Sequence, residues 1–263
     1  MAIDWTILMR SVEAHQRDAD IGVSVVAPSG EHWAHNGDVQ YPSASTAKIP
    51  IMIEIYRLVD RGAIALDDMH LLRTAGKSPG SGVLRHLHAG LTLSLADLLY
   101  LMISISDNTA TNMLIELAGM DRINTTMRVL GMSSSILGRP MLGRLAVEGE
   151  QENLATPNDY TRVLDAIFRG VAASPAACSA MVATLERQQN RRRIGRHVPA
   201  HADYRWGSKT GTNDGIVNDV GFVCGQAGRM LIAVYCRGIA DEVTGEHVIA
   251  DIARKAMGVV DIV

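Results

Sequence analysis

The 263-residue chain has little of several things that would settle its class at once. It contains three cysteines, Cys178, Cys224 and Cys236. An odd number without a CxxC spacing gives neither a disulfide framework nor a zinc signature. Cys224 and Cys236 sit in apolar strand-like runs and read as buried core thiols, compatible with a reducing compartment. No run of about 18 apolar residues occurs, so no membrane-spanning helix and no membrane partner are expected. The first residues, MAIDWTILMRSVEAHQRDAD, lack the basic start, apolar stretch and small-residue cleavage site of a secretory leader. The chain as written is therefore expected in the cytoplasm, or in the periplasm or outside the cell if Met1 stands where a leader was removed. Basic excess is absent: 25 Lys and Arg face 28 Asp and Glu, for a net charge of −3. That balance speaks against a nucleic-acid partner. There is no internal repeat, low-complexity stretch or long linker. GxSxG is missing. Gly207–Thr210 (GSKT) lacks the GK[ST] and upstream glycine of a phosphate loop, and His86, His88 and the other histidines lack metal-site spacing. No metal and no cofactor are expected.

What is present is a change of periodicity along the chain. Residues 4–17 carry apolar positions three and four apart, as an amphipathic helix does. IGVSVVAPSGEHWAHNGD follows as two strand-like runs around a Pro-Ser-Gly turn, a β-hairpin. From Ser43 to Leu185 helical periodicity dominates, in IPIMIEIYRLVDRG, LSLADLLYLMISIS, TATNMLIELAG, MDRINTTMRVLG and TPNDYTRVLDAIFRG. Ser94 with Asp97, and Thr156 with Asp159, have the spacing of capping boxes. Strands return in YRWGSKTG, IVNDVGFVCG and RMLIAVYCRG, the last two joined at Gln226–Arg229, and HVIADIARKAMGVV closes the chain as a helix. Strand runs separated from a helical block predict an α+β fold. Both ends of the chain then meet in one antiparallel five-stranded sheet, with the terminal helices packed on it. Residues 1–42 plus 186–263 form the sheet domain, residues 43–185 an inserted all-helical domain, and the active site is expected between them. No feature specifies an oligomeric state.

Three short polar motifs fall at the junctions of these blocks. Ser45-Thr46-Ala47-Lys48 opens the first helix of the helical block, Ser106-Asp107-Asn108 lies between two helices, and Lys209-Thr210-Gly211 ends a returning strand. Residues three apart on a helix share a face, with Cβ atoms about 5–6 Å apart, so the Lys48 amine can reach the Ser45 hydroxyl. A serine hydroxyl is a weak nucleophile and needs a base. A neutral lysine serves if burial and a neighbouring cation lower its pKa, and Lys209 is the candidate cation. A helix N-terminus at Ser45 adds backbone N–H groups beside a developing oxyanion. Pro50 fits only near a helix start, which puts Ser45 at the end of its helix. Each motif alone is weak, since SDN also suits a helix cap and KTG a turn. Together, in order and each at a junction, they supply what an acyl-transfer site requires.

With these motifs the chain resembles the class A β-lactamases and penicillin-binding serine hydrolases, whose signature combines SxxK, SDN and KTG. STAKIP, SPGSGVLRHL, LTLSLADLLYLMISISDNTATNMLI, ENLATPNDY and SKTGT…NDVGFV also look like that family, over about Ile21 to Ala250. The resemblance implies that Ser45 attacks the carbonyl, that Lys48 accepts its proton and that Ser106 passes a proton to the departing nitrogen. It implies that Asn108 binds the substrate's side-chain amide and Lys48. Lys209, Thr210, Gly211 and Thr212 then bind substrate, its carboxylate above all, and the N–H groups of Ser45 and Thr212 form the oxyanion hole. Asp107 is read as a brace of its loop. The run Asn190-Arg191-Arg192-Arg193, with Arg187 and Arg196, is read as a solvated face from which one arginine helps attract a carboxylate.

One element of the family pattern is missing. Class A enzymes carry ExxLN in a loop before the TP segment, and here GMSSSILGRPMLGRLAVEGEQENLATP has none. Alignment puts the glutamate position near Met141 and the asparagine near Leu145. Glu148, Glu150 and Glu152 follow at the wrong spacing, as possible deacylation bases or as solvated loop charges. Losing general-base assistance costs typically about 10²–10⁴-fold. The leading expectation is β-lactam amide hydrolysis through an acyl-enzyme at Ser45. One alternative is an esterase, amidase or D-alanyl peptidase that turns penicillins over slowly, and a second is a β-lactam-binding protein without turnover. The expected partner is a small amide or ester, β-lactam or acyl-D-amino acid-like.

Overall fold

The computed structural model describes residues 2–262. The first helix, α1 (Thr6–His15), leads into the hairpin β1 (Asp20–Val26) and β2 (His32–His35), and then into the two-residue strand β3 (Tyr41–Pro42). A 3-10 turn at Ala44–Ala47 runs into α2 (Lys48–Asp60), followed by β4 (Met69–Leu71), β5 (Thr92–Ser94), α3 (Leu95–Ser104), α4 (Asn108–Ala118) and α5 (Met120–Val129). Then come β6 (Leu154–Ala155), α6 (Pro157–Phe168) and α7 (Pro175–Leu185). Strands β7 (Arg205–Asn213), β8 (Ile216–Gly225) and β9 (Gly228–Arg237) and helix α8 (Glu242–Val259) complete the chain. The fold is α+β. Its five-stranded antiparallel sheet has the order β2-β1-β9-β8-β7, so strands from the two ends of the sequence pair at its centre, Val23 opposite Val234.

Strand side chains alternate between faces, and here both faces are covered. On β9, Leu231, Ala233 and Tyr235 join the cluster built from α2–α7, while Met230, Ile232, Val234 and Cys236 join a cluster with Leu8 and Val12 of α1 and Ile249, Ile252 and Ala256 of α8. The strand therefore reads as a continuous apolar run rather than an alternating one. Burial of each Leu, Ile, Val or Met side chain among these stabilises the fold by about 1.5–3 kcal/mol.

Several local readings sharpen. Ser94 and Asp97 form the full capping box. Thr156 caps α6 through the Asp159 N–H, but the Asp159 carboxylate turns away to Ser134 N and Ser135 Oγ, so only half of a box forms. Helix α7 was not among the periodic runs, because its alanines and apolar residues leave no stripe; Ser174 and Pro175 mark its start. The short pairs β3–β6 and β4–β5 are likewise too brief to show a period. Ser45 sits in the 3-10 turn, not in the first turn of α2, which begins at Lys48 with Pro50 in its first turn.

Candidate active site

The turn carrying Ser45 is held from several sides. Ser43 N donates to Asn153 O at 2.7 Å, and Thr46 Oγ1 donates to Ser43 O at 2.8 Å. Thr46 Oγ1 also lies 3.0 Å from the Tyr235 hydroxyl, and Asn218 Nδ2 donates to Pro42 O at 2.9 Å. Ala44 adopts φ +46° immediately before Ser45, a conformation that costs an L-residue energy and persists only where its surroundings enforce it. Strand β7 passes directly over this turn. A Cβ on Gly211 would stand 2.9 Å from Ser43 O, so a side chain there would push the strand off the nucleophile.

Lys48 is wholly buried, and its Nζ donates to Ser106 O at 2.8 Å, Ser106 Oγ at 2.9 Å and Asn108 Oδ1 at 2.9 Å. Three acceptors satisfy an ammonium completely. Burial, and next the Lys209 charge, push its pKa well below the ordinary lysine value, against a smaller pull from Asp107. Lys209, also buried, donates to Ser106 Oγ at 3.1 Å and Thr210 O at 2.8 Å. Its pKa falls to about 7, chiefly by burial, with Asp219 opposing and Arg193 adding to the shift. The Ser106 hydroxyl therefore accepts from both lysines. Both lone pairs are then engaged and its own proton is left free to be donated.

Ser106 has φ +60°, and its loop is fixed by Asp107. The Asp107 Oδ1 caps α4 through Ala110 N, while Oδ2 accepts from Val83 N at 2.7 Å and Leu84 N at 2.8 Å. Asn108 presents Oδ1 to Lys48, and its Nδ2 donates to Pro79 O at 2.9 Å, which leaves one amide proton available to a substrate.

The structure thus gathers Ser45, Lys48, Ser106, Asn108, Lys209, Thr210, Gly211 and Thr212 around one cleft. On one side of Ser45 a cavity of about 360 Å³ is lined by Ser106, Gln189, Asn190, Arg193, Thr210 and Thr212. On the other side a chamber of about 70 Å³ is lined by Asn108, Met141, Gly143, Glu152 and Asn153. The three glutamates are not gathered in the same way. Glu148 is exposed. Glu150 is held by Arg144 at 2.6 and 2.7 Å, and that bond above all pulls its pKa down to about 2. Glu152 reaches the chamber wall, but its carboxylate is bound by Arg139 Nη2 at 3.2 Å and by the N–H groups of Ala146 and Asn153, each at 2.7 Å. Met141 is buried, and its backbone is bracketed by the Asn112 side chain.

Arg193 corrects the reading of the basic run as a solvated face. It has no exposed surface, and its Nη1 donates to Gly211 O at 3.0 Å and Asn218 O at 2.7 Å. Its Nη2 donates to Thr212 Oγ1 at 2.6 Å. Asp219, Glu242 and Glu246 were likewise not anticipated around the cleft. The available signal was the Asn218-Asp219 pair inside the apolar run IVNDVGFVCG, since charged groups inside a core strand need a buried partner.

The model of the β-lactamase enzyme family matches residues 8–260. The chain belongs to that family. Among solved family structures, the β-lactamase from Sphaerobacter thermophilus DSM 20745 is 50% identical, with a TM-score of 0.98 over 99% of each chain. An ancestral (GNCA) class A β-lactamase is 27% identical, with a TM-score of 0.87 over 96% of this chain and 99% of that one. Among curated family members, β-lactamase BRO-1 of Moraxella catarrhalis is 26% identical over 74% of this chain. A β-lactamase of Rhodobacter capsulatus is 30% identical over 62% of it. The chain spans 63% and 56% of the length of these two family members. Among the described residues, no helix is long and apolar enough to cross a membrane.

Proposed function

We propose that the protein is a serine β-lactam hydrolase acting through an acyl-enzyme at Ser45. The observation that carries this reading is the Ser106 hydroxyl held between two buried lysine amines, 2.9 Å from one and 3.1 Å from the other, beside a half-buried serine. Lys48, whose pKa is lowered by burial and by Lys209, is the base that takes the Ser45 proton in this reading. Ser45 Oγ bonds to the carbonyl carbon, the C–N bond breaks, and the departing nitrogen receives the Ser106 proton, which Lys48 replaces. Charge on the carbonyl oxygen is met by the Ser45 and Thr212 N–H groups. Water then cleaves the ester and regenerates Ser45. Lys209, Thr210 and Thr212 bind the carboxylate on the nitrogen side of the ring, and Asn108 the amide on the acyl side. In this reading residues 1–42 plus 186–263 contribute the carboxylate side of the cleft, and residues 43–185 contribute Ser45, Lys48, Ser106 and Asn108.

One observation favours a second reading, in which penicillins acylate Ser45 and leave slowly while an ester or D-alanyl amide turns over. No ExxLN occurs in the loop, where the sequence puts the water-activating glutamate near Met141, and Glu150 and Glu152 are tied to arginines. Mixing the protein with a chromogenic cephalosporin, and following colour and intact mass together, tests both readings. Repeated turnover with a transient mass increment is expected for the first, and a persistent increment with little colour for the second. Ser45→Ala is expected to remove both signals, with a rate loss on the order of 10⁴–10⁶-fold. A fully active Ser45→Ala protein sinks the assignment.

A further inference from the structure

Glu242 is the first residue of α8 and stands at the rim of the larger cavity, 53% exposed. Its Oε1 accepts from Arg193 Nη2 at 2.8 Å and lies 3.5 Å from Thr212 Oγ1. The two Arg193 nitrogens are employed differently. Nη1 is spent on the carbonyls of Gly211 and Asn218, in paired strands of the sheet. Nη2 faces the cleft and is spent on two exposed side chains, Thr212 and Glu242. Arg193 lines the cavity yet has no accessible surface, and Glu242 is one of the groups that cover it. The guanidinium does not depend on Glu242 for its charge balance, because the buried Glu246 carboxylate lies 3.7 Å from Nε.

A carboxylate bound to Arg193 Nη2 and within reach of Thr212 Oγ1 has the contacts that a substrate carboxylate entering beside Thr210 and Thr212 would seek. We propose that Glu242 occupies the carboxylate position of the cleft in the free protein, and that a substrate's carboxylate displaces it from Arg193 and Thr212. This rests on the Ser45 reading for its substrate class. Glu242 then acts as a selectivity residue: an incoming anion must outcompete a tethered carboxylate and bind near its charge. Weak single-point anions are rejected, while a ligand anchored at a second point, as an amide at Asn108 would be, is admitted. Two like charges a few ångströms apart at a partly exposed site repel enough to change an affinity by about three- to tenfold.

The test compares Glu242→Gln with the wild type on benzylpenicillin and on its neutral methyl ester, measuring the second-order rate of Ser45 acylation by intact mass. The amide keeps the size of the side chain and removes its charge. Acylation by the acid is expected to rise about three- to tenfold at low ionic strength, with the gain shrinking in high salt and the ester rate unchanged. Glu242→Ala is expected to act in the same direction. A second measurement needs no chemistry at Ser45: binding of penicilloate, the ring-opened diacid, read by thermal shift, is expected to tighten in both variants. An unchanged or lower acid rate, an equal change for acid and ester, or unaltered penicilloate binding overturns the proposal. A wild type that is never acylated but binds penicilloate, more tightly without Glu242, overturns the Ser45 reading and leaves this one standing.

Discussion

Ser45 is flanked by two regions whose charges are employed in opposite ways. On one side Lys48 and Lys209 are buried, and their amines bond to hydroxyl, amide and carbonyl oxygens rather than to carboxylates. Burial lowers both amines below the ordinary lysine value, helped at Lys48 by the Lys209 charge and at Lys209 by the Arg193 charge, which takes Lys209 to about 7. An amine lowered in this way gives up its proton more readily than an ordinary lysine. On the other side, in the 138–153 loop, Arg139 and Arg144 are matched by Glu152 and Glu150. There the pairing drives Glu150 down to about 2, so its carboxylate is stable and a poor base. The first region has the groups to form an acyl-enzyme. The second is built to hold its own shape, and it presents Met141, a side chain without proton chemistry, to the chamber beside Ser45.

The contrast breaks most visibly at Lys48. Lys48→Met is expected to slow acylation about 10²–10⁴-fold, measured by quenched-flow mass spectrometry. The pH profile distinguishes a base from a structural prop. A lysine whose pKa is lowered gains its neutral fraction at a lower pH than an ordinary lysine. Wild-type acylation should therefore rise with pH through the depressed Lys48 value, and in Lys48→Met that rise should be absent. If the slope survives, another group takes the Ser45 proton.

A second change converts the loop. Met141→Glu places a carboxylate in the chamber lined by Asn108 and Asn153, and is expected to shorten the lifetime of the penicilloyl adduct by about 10²-fold with the acylation rate little altered. An adduct that persists unchanged would show that the missing carboxylate is not what limits release.

The smallest expected effect concerns the loop's own charges. Glu152→Gln is expected to alter adduct lifetime less than about threefold, since its carboxylate oxygens are already engaged by the Arg139 guanidinium and the Ala146 and Asn153 N–H groups rather than free to hold a water. It should lower stability by about 1–2 kcal/mol through weaker hydrogen bonds to Arg139, Ala146 and Asn153, read as a shift in the urea midpoint. A large fall in the deacylation rate with unchanged stability would reverse the comparison and make Glu152 the base.

Much of the site was legible before the fold because its motifs are local. Ser45 and Lys48 are three residues apart, Asp107 caps the helix that Asn108 begins, and the spacing of each triplet is fixed by the turn or strand that bears it. The hairpins, the chain ends meeting in one sheet and the closing helix followed from periodicity. Arg193 was misread because a run of three arginines has the same composition whether it faces water or folds inward. Only the strands Gly211 and Asn218 occupy make it a buried group. Glu242 carried no signal, being one acid ahead of the run HVIADIARKAMGVV read as the closing helix and 30 residues from Thr212 in sequence.

The sequence by itself pointed to the family, the α+β order of elements and the serines and lysines of the candidate site. Short-range geometry and apolar periodicity are properties of neighbouring residues and survive reading one residue at a time. The tertiary structure decided the electrostatics. Whether an amine is a cation or a base, and whether a glutamate is a catalyst or half of an ion pair, depends on burial and on partners far away in the chain. Lys48 is adjusted by Lys209, 161 positions away (209 − 48), and that distance closes only when the sheet packs against the helical block.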